Sequence, residues 1–287
     1  MTGTPAAPTS PTTSRFVACG DSFTEGLWDI PGAEPPPSAE TAEPGLVCRG
    51  WADLLAEHLA ARRDDGPDGE QAEPLHYANL AVRGRLLRPI VEEQVSLALE
   101  MAPDLVSVVG GGNDMLRPTA DPDALAALLE DAVVRIRATG AQVLLATGMD
   151  SKGSPVMRRT RGRVATMNSH VWTIARRHDA HVLDVWGMRS LRDWRMWAPD
   201  RIHLTTDGHR RVAQGALVAL GLEPDDPRWD DPLTPLPPLP VSARVKDDAE
   251  WLRTHVYPWA TRRLRKRSSG DERVPKLPEL RPVHPQE

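Results

Sequence analysis

The sequence predicts a doubly wound α/β fold, and three observations point to it. Short apolar runs alternate with amphipathic segments of helical spacing, and the runs end in glycine-bearing turns. The third is Asp104-Leu105-Val106-Ser107-Val108-Val109, apolar and β-branched almost without interruption, the mark of a strand buried on both faces of a parallel sheet. Open sheets of this kind bind their ligands in the crevice beyond the carboxyl ends of the strands.

Arg15 to Gly20 is the first apolar run, and it stops in Gly20-Asp21-Ser22, which delivers Ser22 to a strand's carboxyl end. Taken alone, a serine in such a turn reads equally well as a turn former bonding its own backbone. Leu27 to Gly50 carries Pro31, Pro35, Pro36, Pro37 and Pro44, which excludes a regular helix or central strand and predicts a surface loop, either a rim on the site or a passive insertion. Trp51 to Arg63 has helical spacing of Trp51, Leu54, Leu55 and Leu59. Leu75 to Val82 is the second strand and ends at Arg83-Gly84; a glycine there allows a positive φ and an exposed N–H. Leu86 to Met101 follows as a helix with Pro89 in its first turn, and Pro103 stops it.

The strand 104–109 enters Gly110-Gly111-Gly112-Asn113-Asp114. The glycines match neither a phosphate-binding loop nor a dinucleotide fingerprint, since no Gly-Lys-Ser/Thr follows and Met115 stands where Gly-x-Gly-x-x-Gly needs its third glycine. Asn113, at a strand end, can donate a side-chain N–H into the same crevice as Ser22. Asp121 to Thr139 is a helix capped by Asp121 with Pro122 in its first turn, and Gln142 to Gly148 is the fourth strand. A long arginine-rich helix over 156–179 leads to the fifth strand, Ala180 to Trp186. Gly208 to Leu220 is the last helix of the repeating pattern, with Thr206 or Asp207 as its cap.

These elements divide the chain into a lead-in over 1–14, expected to be disordered, a catalytic domain over 15–222, and a Pro-rich linker with a C-terminal helix and basic tail over 223–287. The helix is expected over Asp247 to Arg265, kinked or divided at Pro258. Arg262-Arg263-Leu264-Arg265-Lys266-Arg267 is a basic cluster, either solvated or facing an acidic partner or membrane surface.

The totals narrow the function. A chain of 287 residues with a formal charge of −5 and a pI near 6.0 offers no broad positive field for nucleic acid. Cys19 and Cys48 are the only cysteines, too few for a metal cluster by themselves; two free thiols in a reducing compartment are expected, and one disulfide is the alternative. The N-terminus lacks the basic and apolar regions of a secretory signal, and no run approaches the length of a membrane span, so a cytoplasmic protein is expected.

Serine becomes a nucleophile when an imidazole, oriented by a carboxylate, takes its proton. Asp200 and His203, three apart in a loop before the last helix, are the candidate pair. His181 in a strand and His209 in a helix's first turn read as structural.

Together these blocks resemble the SGNH hydrolases, or GDSL-type esterases and lipases, named for Ser, Gly, Asn and His in four blocks. Ser22 in Gly-Asp-Ser-Phe-Thr-Glu-Gly matches the first, with Phe23 where many members have Leu; Gly84 in Asn-Leu-Ala-Val-Arg-Gly matches the second. Asn113 in Gly-Gly-Asn-Asp matches the third, and Asp200 with His203 the Asp-x-x-His of the last. The resemblance implies a three-layer α/β/α, flavodoxin-like, doubly wound parallel sheet of five strands. It also implies a carboxylic ester hydrolase working through an acyl-serine: Ser22 attacks, His203 moves the proton and Asp200 orients it. The oxyanion hole would be the Ser22 N–H, the Gly84 N–H and the Asn113 side chain, with no metal and no cofactor. Thr24 stands where the Gly-x-Ser-x-Gly elbow of α/β-hydrolases has its second glycine. The expected partner is a small-molecule ester, and the C-terminal helix is expected to dock on its own catalytic domain or on a partner. Two other readings stand beside hydrolysis: acyl transfer from the same acyl-serine, with the 27–50 loop or the Trp194/Trp197 pair excluding water, and a non-enzymatic scaffold acting through the C-terminal helix.

Overall fold

The computed structural model describes residues 13–30, 48–63, 73–154, 157–238, 240–258, 261, 268–271 and 273–284. Most of the 27–50 loop, nearly all of the 1–14 lead-in and the basic cluster 262–267 lie outside the described residues.

The parallel strands are β1 (Arg15–Gly20), β2 (His76–Asn79), β3 (Leu105–Val109), β4 (Gln142–Ala146) and β5 (His181–Leu183). Their order across the sheet is β5-β4-β3-β1-β2, the flavodoxin-like arrangement in which the chain reverses direction beside β1. Between the strands run α1 (Ser22–Glu25), α2 (Trp51–Ala61), α3 (Leu87–Pro89), α4 (Val95–Glu100), α5 (Gly112–Met115), α6 (Pro122–Arg137) and α7 (Arg161–His178), with α8 (Thr206–Ala219) and α9 (Val241–Trp251) after them.

The alternation of side chains along a strand builds the layers. On β1, Val17 and Cys19 face a core shared with α3, α4, α6 and α7, through residues such as Ile90, Val95, Val133 and Val171. Phe16 and Ala18 face the opposite core, against Trp51 and Leu55 of α2 and Val212 and Leu217 of α8. Helices therefore cover both faces, as the unbroken apolar runs require. Both cysteines are buried free thiols.

A sixth strand departs from the expected five. β6 (Leu277–Pro282) adds antiparallel to β2, with Tyr77 opposite Arg281 and Asn79 opposite Leu277. Pro278 and Pro282 argue against a strand on pattern alone, but an edge strand tolerates prolines whose missing N–H faces away from the ladder. The C-terminal segment is thus part of the sheet. Lys276 fastens it: its Nζ donates to the carbonyls of Glu25 and Cys48, each at 2.7 Å, and to Asp53 Oδ2 at 2.6 Å.

Other boundaries shift for local reasons. The helix expected over 86–101 contains a π-helical turn, Ile90–Gln94, between α3 and α4. The arginine-rich helix begins at Arg161, after a 3₁₀ turn Met157–Thr160. α8 begins two residues before the expected Gly208, and Thr205, rather than Thr206 or Asp207, caps it by accepting from the Gly208 N–H at 3.3 Å. α9 starts at Val241, and a π-helical turn, Leu252–Val256, sits just before Pro258, where the missing proline N–H already breaks the regular ladder.

Candidate active site

Ser22 opens α1 directly after β1. Asp21 caps the helix, its side chain accepting from the Phe23 N–H at 3.1 Å, and the leading N–H groups of α1, Ser22's among them, have no acceptor within the helix. Gly20 is required by close approach: a Cβ there would sit 2.5 Å from Thr24 Oγ1 and 2.7 Å from the Val109 carbonyl. Gln94 holds the Gly20 backbone from both sides, accepting from its N–H at 2.7 Å and donating to its carbonyl at 3.0 Å. That contact comes from the π-helical turn, so the irregularity places a buried amide against the strand end that carries the serine.

Asp200 and His203 come from the loop before α8. Asp200 Oδ1 accepts the backbone N–H groups of Ile202 and His203, each at 3.0 Å, while Oδ2 lies 2.6 Å from His203 Nδ1. His203 Nε2 lies 2.9 Å from Ser22 Oγ. With Nδ1 carrying the ring proton toward the carboxylate, Nε2 is left as the acceptor for the serine hydroxyl. Burial pushes the Asp200 carboxyl up, but the His203 charge and these hydrogen bonds outweigh it and hold its pKa at about 2.

Arg201, inside this turn, adopts a left-handed φ of 57°, a conformation that costs a non-glycine residue about 1 kcal/mol. Its guanidinium is held by Asp248 and Asp247, each at 2.6 Å, and lies over the Trp251 ring at 4.9 Å. Trp251 also donates its indole N–H to the Asp200 carbonyl at 2.9 Å. The Asp200–His203 turn is therefore braced by α9.

Gly84 has a φ of 74°, which favours glycine. The preceding Arg83 is buried and bonded to Glu25 of α1: its backbone N–H donates to Oε2 at 2.6 Å and its Nε to Oε1 at 2.8 Å. That pair fixes the Gly84 turn to the helix that carries Ser22. Asn113 Nδ2 contacts Asp21 Oδ2 at 3.1 Å and the Arg85 carbonyl at 3.0 Å, so the amide sits beside the Ser22 turn with its donors engaged by protein. Asp21 is buried with Asp114 and Glu25 nearby, and burial first, opposed by the Phe23 hydrogen bond and the His203 charge, pushes its pKa up to about 6.

All five residues singled out by sequence, Ser22, Gly84, Asn113, Asp200 and His203, line one cleft of about 350 Å³, within the range of small-ligand sites. Its walls are largely apolar, with Leu27, Val109, Met149 and Ile202 among them. Trp197 lines the cleft and Trp194 does not; Trp194 is half exposed, with Arg201 over its ring at 5.9 Å. His209 is buried, accepting from the Trp51 N–H at 3.2 Å, and burial lowers its pKa to about 3. It faces α2 and takes no place in the cleft. Among the described residues no group of His, Cys, Asp and Glu is arranged to hold a metal ion, and no helix is long and apolar enough to cross a membrane. Sequence reasoning missed Gln94, Glu25, Arg83 and Trp251. The signal for the charged pair was present, since Glu25 and Arg83 lie inside the two blocks that carry Ser22 and Gly84.

The family model described as GDSL-like Lipase/Acylhydrolase family matches residues 18–211. Among solved structures, the chain is similar to LAE5, described as an alpha/beta hydrolase enzyme from the metagenome of Lake Arreo, Spain, at 24% identity and a TM-score of 0.54, over 72% of this chain and 95% of that one. It is similar to Axe2, an acetylxylan esterase from Geobacillus stearothermophilus, at 20% identity and a TM-score of 0.54, over 73% of this chain and 95% of that one. TesA matches at 21% identity and a TM-score of 0.52, over 72% of this chain and 97% of that one. At these identities the likeness shows the fold. No curated protein matches the sequence.

Proposed function

The chain belongs to the GDSL-like lipase/acylhydrolase family, a serine hydrolase acting on esters, and from that premise we propose that Ser22, His203 and Asp200 are its triad and that it works through an acyl-serine. The observation that carries the reading is the unbroken relay inside the cleft, 2.9 Å from Ser22 Oγ to His203 Nε2 and 2.6 Å from Nδ1 to Asp200 Oδ2. Ser22 Oγ attacks the ester carbonyl carbon as Nε2 takes its proton. Asp200 holds the imidazole in that tautomer and stabilises the imidazolium that forms. The carbonyl oxygen gains charge and accepts hydrogen bonds donated by the Ser22 N–H, the Gly84 N–H and one Asn113 amide N–H. For this the Asn113 amide turns one donor from the Arg85 carbonyl or Asp21 toward the substrate. His203 then returns the proton to the leaving alcohol, and water, activated by the same imidazole, releases the acid.

The apolar cleft walls suit an aliphatic acyl group of modest size. The test is fluorophosphonate labelling of the wild type beside Ser22→Ala. Labelling of the wild type alone supports the assignment; an unlabelled wild type, or equal labelling of both, overturns it. A p-nitrophenyl ester series of rising acyl length then bounds the acyl pocket, with turnover expected to fall once the chain outgrows the cleft.

A further inference from the structure

The mouth of the cleft carries an uneven charge. Residues 148–163, which run from the end of β4 into α7, hold Lys152, Arg158, Arg159, Arg161 and Arg163 against a single carboxylate, Asp150, in a chain whose formal charge is −5. Gly148, Met149 and Met157 of this stretch line the cleft, so Arg158 and Arg159 follow directly on one of its walls. Arg117, in the loop after α5, adds a further cation: it lines the cleft, and Arg163 Nη1 donates to the Arg117 and Pro118 carbonyls at 2.5 and 3.3 Å.

Little of this charge is neutralised from within. Asp150 is taken by Arg161 at 2.6 Å, and Asp114 lies near Arg117. Lys152, Arg158 and Arg159 are exposed and have no ion-pair partner among the described residues. Cations gathered in this way repel one another and draw in an external polyanion.

The same rim carries exposed aromatic and apolar side chains. Trp194 is 45% exposed, and a Cβ on Gly153 would lie 3.4 Å from its ring, so the indole stands against the basic stretch. Arg201 is within reach of both the Trp194 and Trp251 rings, at 5.9 and 4.9 Å. After Trp251 the chain continues into residues 254–258, where Thr254, His255 and Pro258 line the cleft, while Leu252 and Tyr257 beside them are 45% and 70% exposed. The contacts therefore run from Lys152 through Trp194 and Arg201 to the cleft wall that follows α9. Rings amid long basic side chains suit a lipid headgroup layer: the rings take the boundary between water and acyl chain, and Lys and Arg reach the phosphates on flexible stems. Anionic lipid offers both chemistries at once, whereas a dissolved polyanion offers the charge alone.

We propose that this rim is a docking surface for an anionic lipid bilayer, with Lys152, Arg158 and Arg159 on the headgroups and Trp194, Leu252 and Tyr257 at the acyl boundary, so that the cleft opens toward the bilayer. The surface lies outside the proton relay and stands apart from the triad reading: it does not depend on Ser22 being the nucleophile.

The test is co-sedimentation of the full chain with vesicles of phosphatidylcholine alone and of phosphatidylcholine mixed with phosphatidylglycerol. Wild type is expected to pellet with the mixed vesicles only, and to be released as added salt shortens the screening length. The double variant Arg158→Glu with Arg159→Glu is expected to lower the partition coefficient at least about 25-fold, about fivefold for each cation removed. Its turnover of p-nitrophenyl butyrate in solution should equal that of wild type, which shows that it is folded. Trp194→Ala keeps every charge and is expected to weaken binding about tenfold through the lost ring, with its thermal unfolding as the check on folding. Equal pelleting with both kinds of vesicle, no pelleting with either, or a charge-reversed variant that binds as wild type does overturns the proposal. Wild type that binds heparin but not the mixed vesicles also overturns it, and assigns the cations to a soluble polyanion.

Discussion

Trp251 donates its indole N–H to the backbone carbonyl of Asp200 at 2.9 Å, so a helix beyond the family's matched region holds the backbone of the residue whose carboxylate lies 2.6 Å from His203 Nδ1. Trp251 is buried, and Trp251→Phe keeps most of the packing but leaves that carbonyl without its donor. The cost is expected at about 1–3 kcal/mol, read as a lower urea midpoint at unchanged slope. Ester turnover should fall with it, because the Asp200–His203 turn loses one of its braces. An unfolding midpoint equal to wild type would show that the contact carries no weight.

Lys276 fastens β6 by three contacts, to Asp53 and to the carbonyls of Glu25 and Cys48. The ammonium and the Asp53 carboxylate are both largely buried, at 11% and 17% exposure, so removing one leaves the other charge poorly solvated. Lys276→Met should cost about 3 kcal/mol. Limited proteolysis should also cut the C-terminal segment sooner than in wild type. A variant as stable and as resistant as wild type would mean that the strand pairing with β2 suffices without the latch.

The proposed oxyanion donors separate under substitution one at a time. Asn113→Ala removes an amide that the proposed mechanism uses only as charge develops, so kcat should fall on the order of 10²- to 10³-fold with little change in KM. Gly84→Ala acts differently: a side chain at a φ of 74° is strained, and its Cβ would meet Ser268 Oγ. That variant should lose both stability and rate, and Ser268→Gly added to it should recover part of the stability by removing the obstructing hydroxymethyl. Equal kcat in wild type and Asn113→Ala would sink the assignment of Asn113.

Which parts of the molecule were legible in the sequence follows from which interactions are local. The five parallel strands announce themselves because burial on both faces demands unbroken apolar runs such as 105–109. Ser22, Gly84, Asn113 and the Asp200/His203 pair are legible because each sits in a short block at a strand end or loop. β6 was hidden by its two prolines, which only an edge position excuses. Gln94 was hidden because a π-helical turn has no pattern in sequence, and its partner, the Gly20 backbone, lies 74 residues away. Trp251 looked like an ordinary apolar helix position; that its indole reaches Asp200 depends on how α9 packs, which spacing along the chain does not encode.

Two aspartates beside the relay should give stability opposite pH dependences. Asp200 falls from an ordinary 3.8 to about 2 in the folded protein, so folding favours its charged form. That stability is present above about pH 4 and is lost as pH falls toward 2, an effect of about 2 kcal/mol. Asp21 rises from 3.8 to about 6 because burial penalises its charge, so folding favours its protonated form. Its contribution is present below about pH 4 and is lost as pH rises through 6, again about 2–3 kcal/mol. Asp21→Asn keeps a side-chain oxygen to accept the Phe23 N–H while abolishing the titration, so its unfolding free energy, followed by urea titration, should stay flatter than wild type between pH 4 and 6. Asp200→Asn should flatten the curve between pH 4 and 2 instead, at the expense of activity. Curves for Asp21→Asn and wild type that run parallel from pH 4 to 6 would show that the buried carboxyl beside Ser22 is not protonated there.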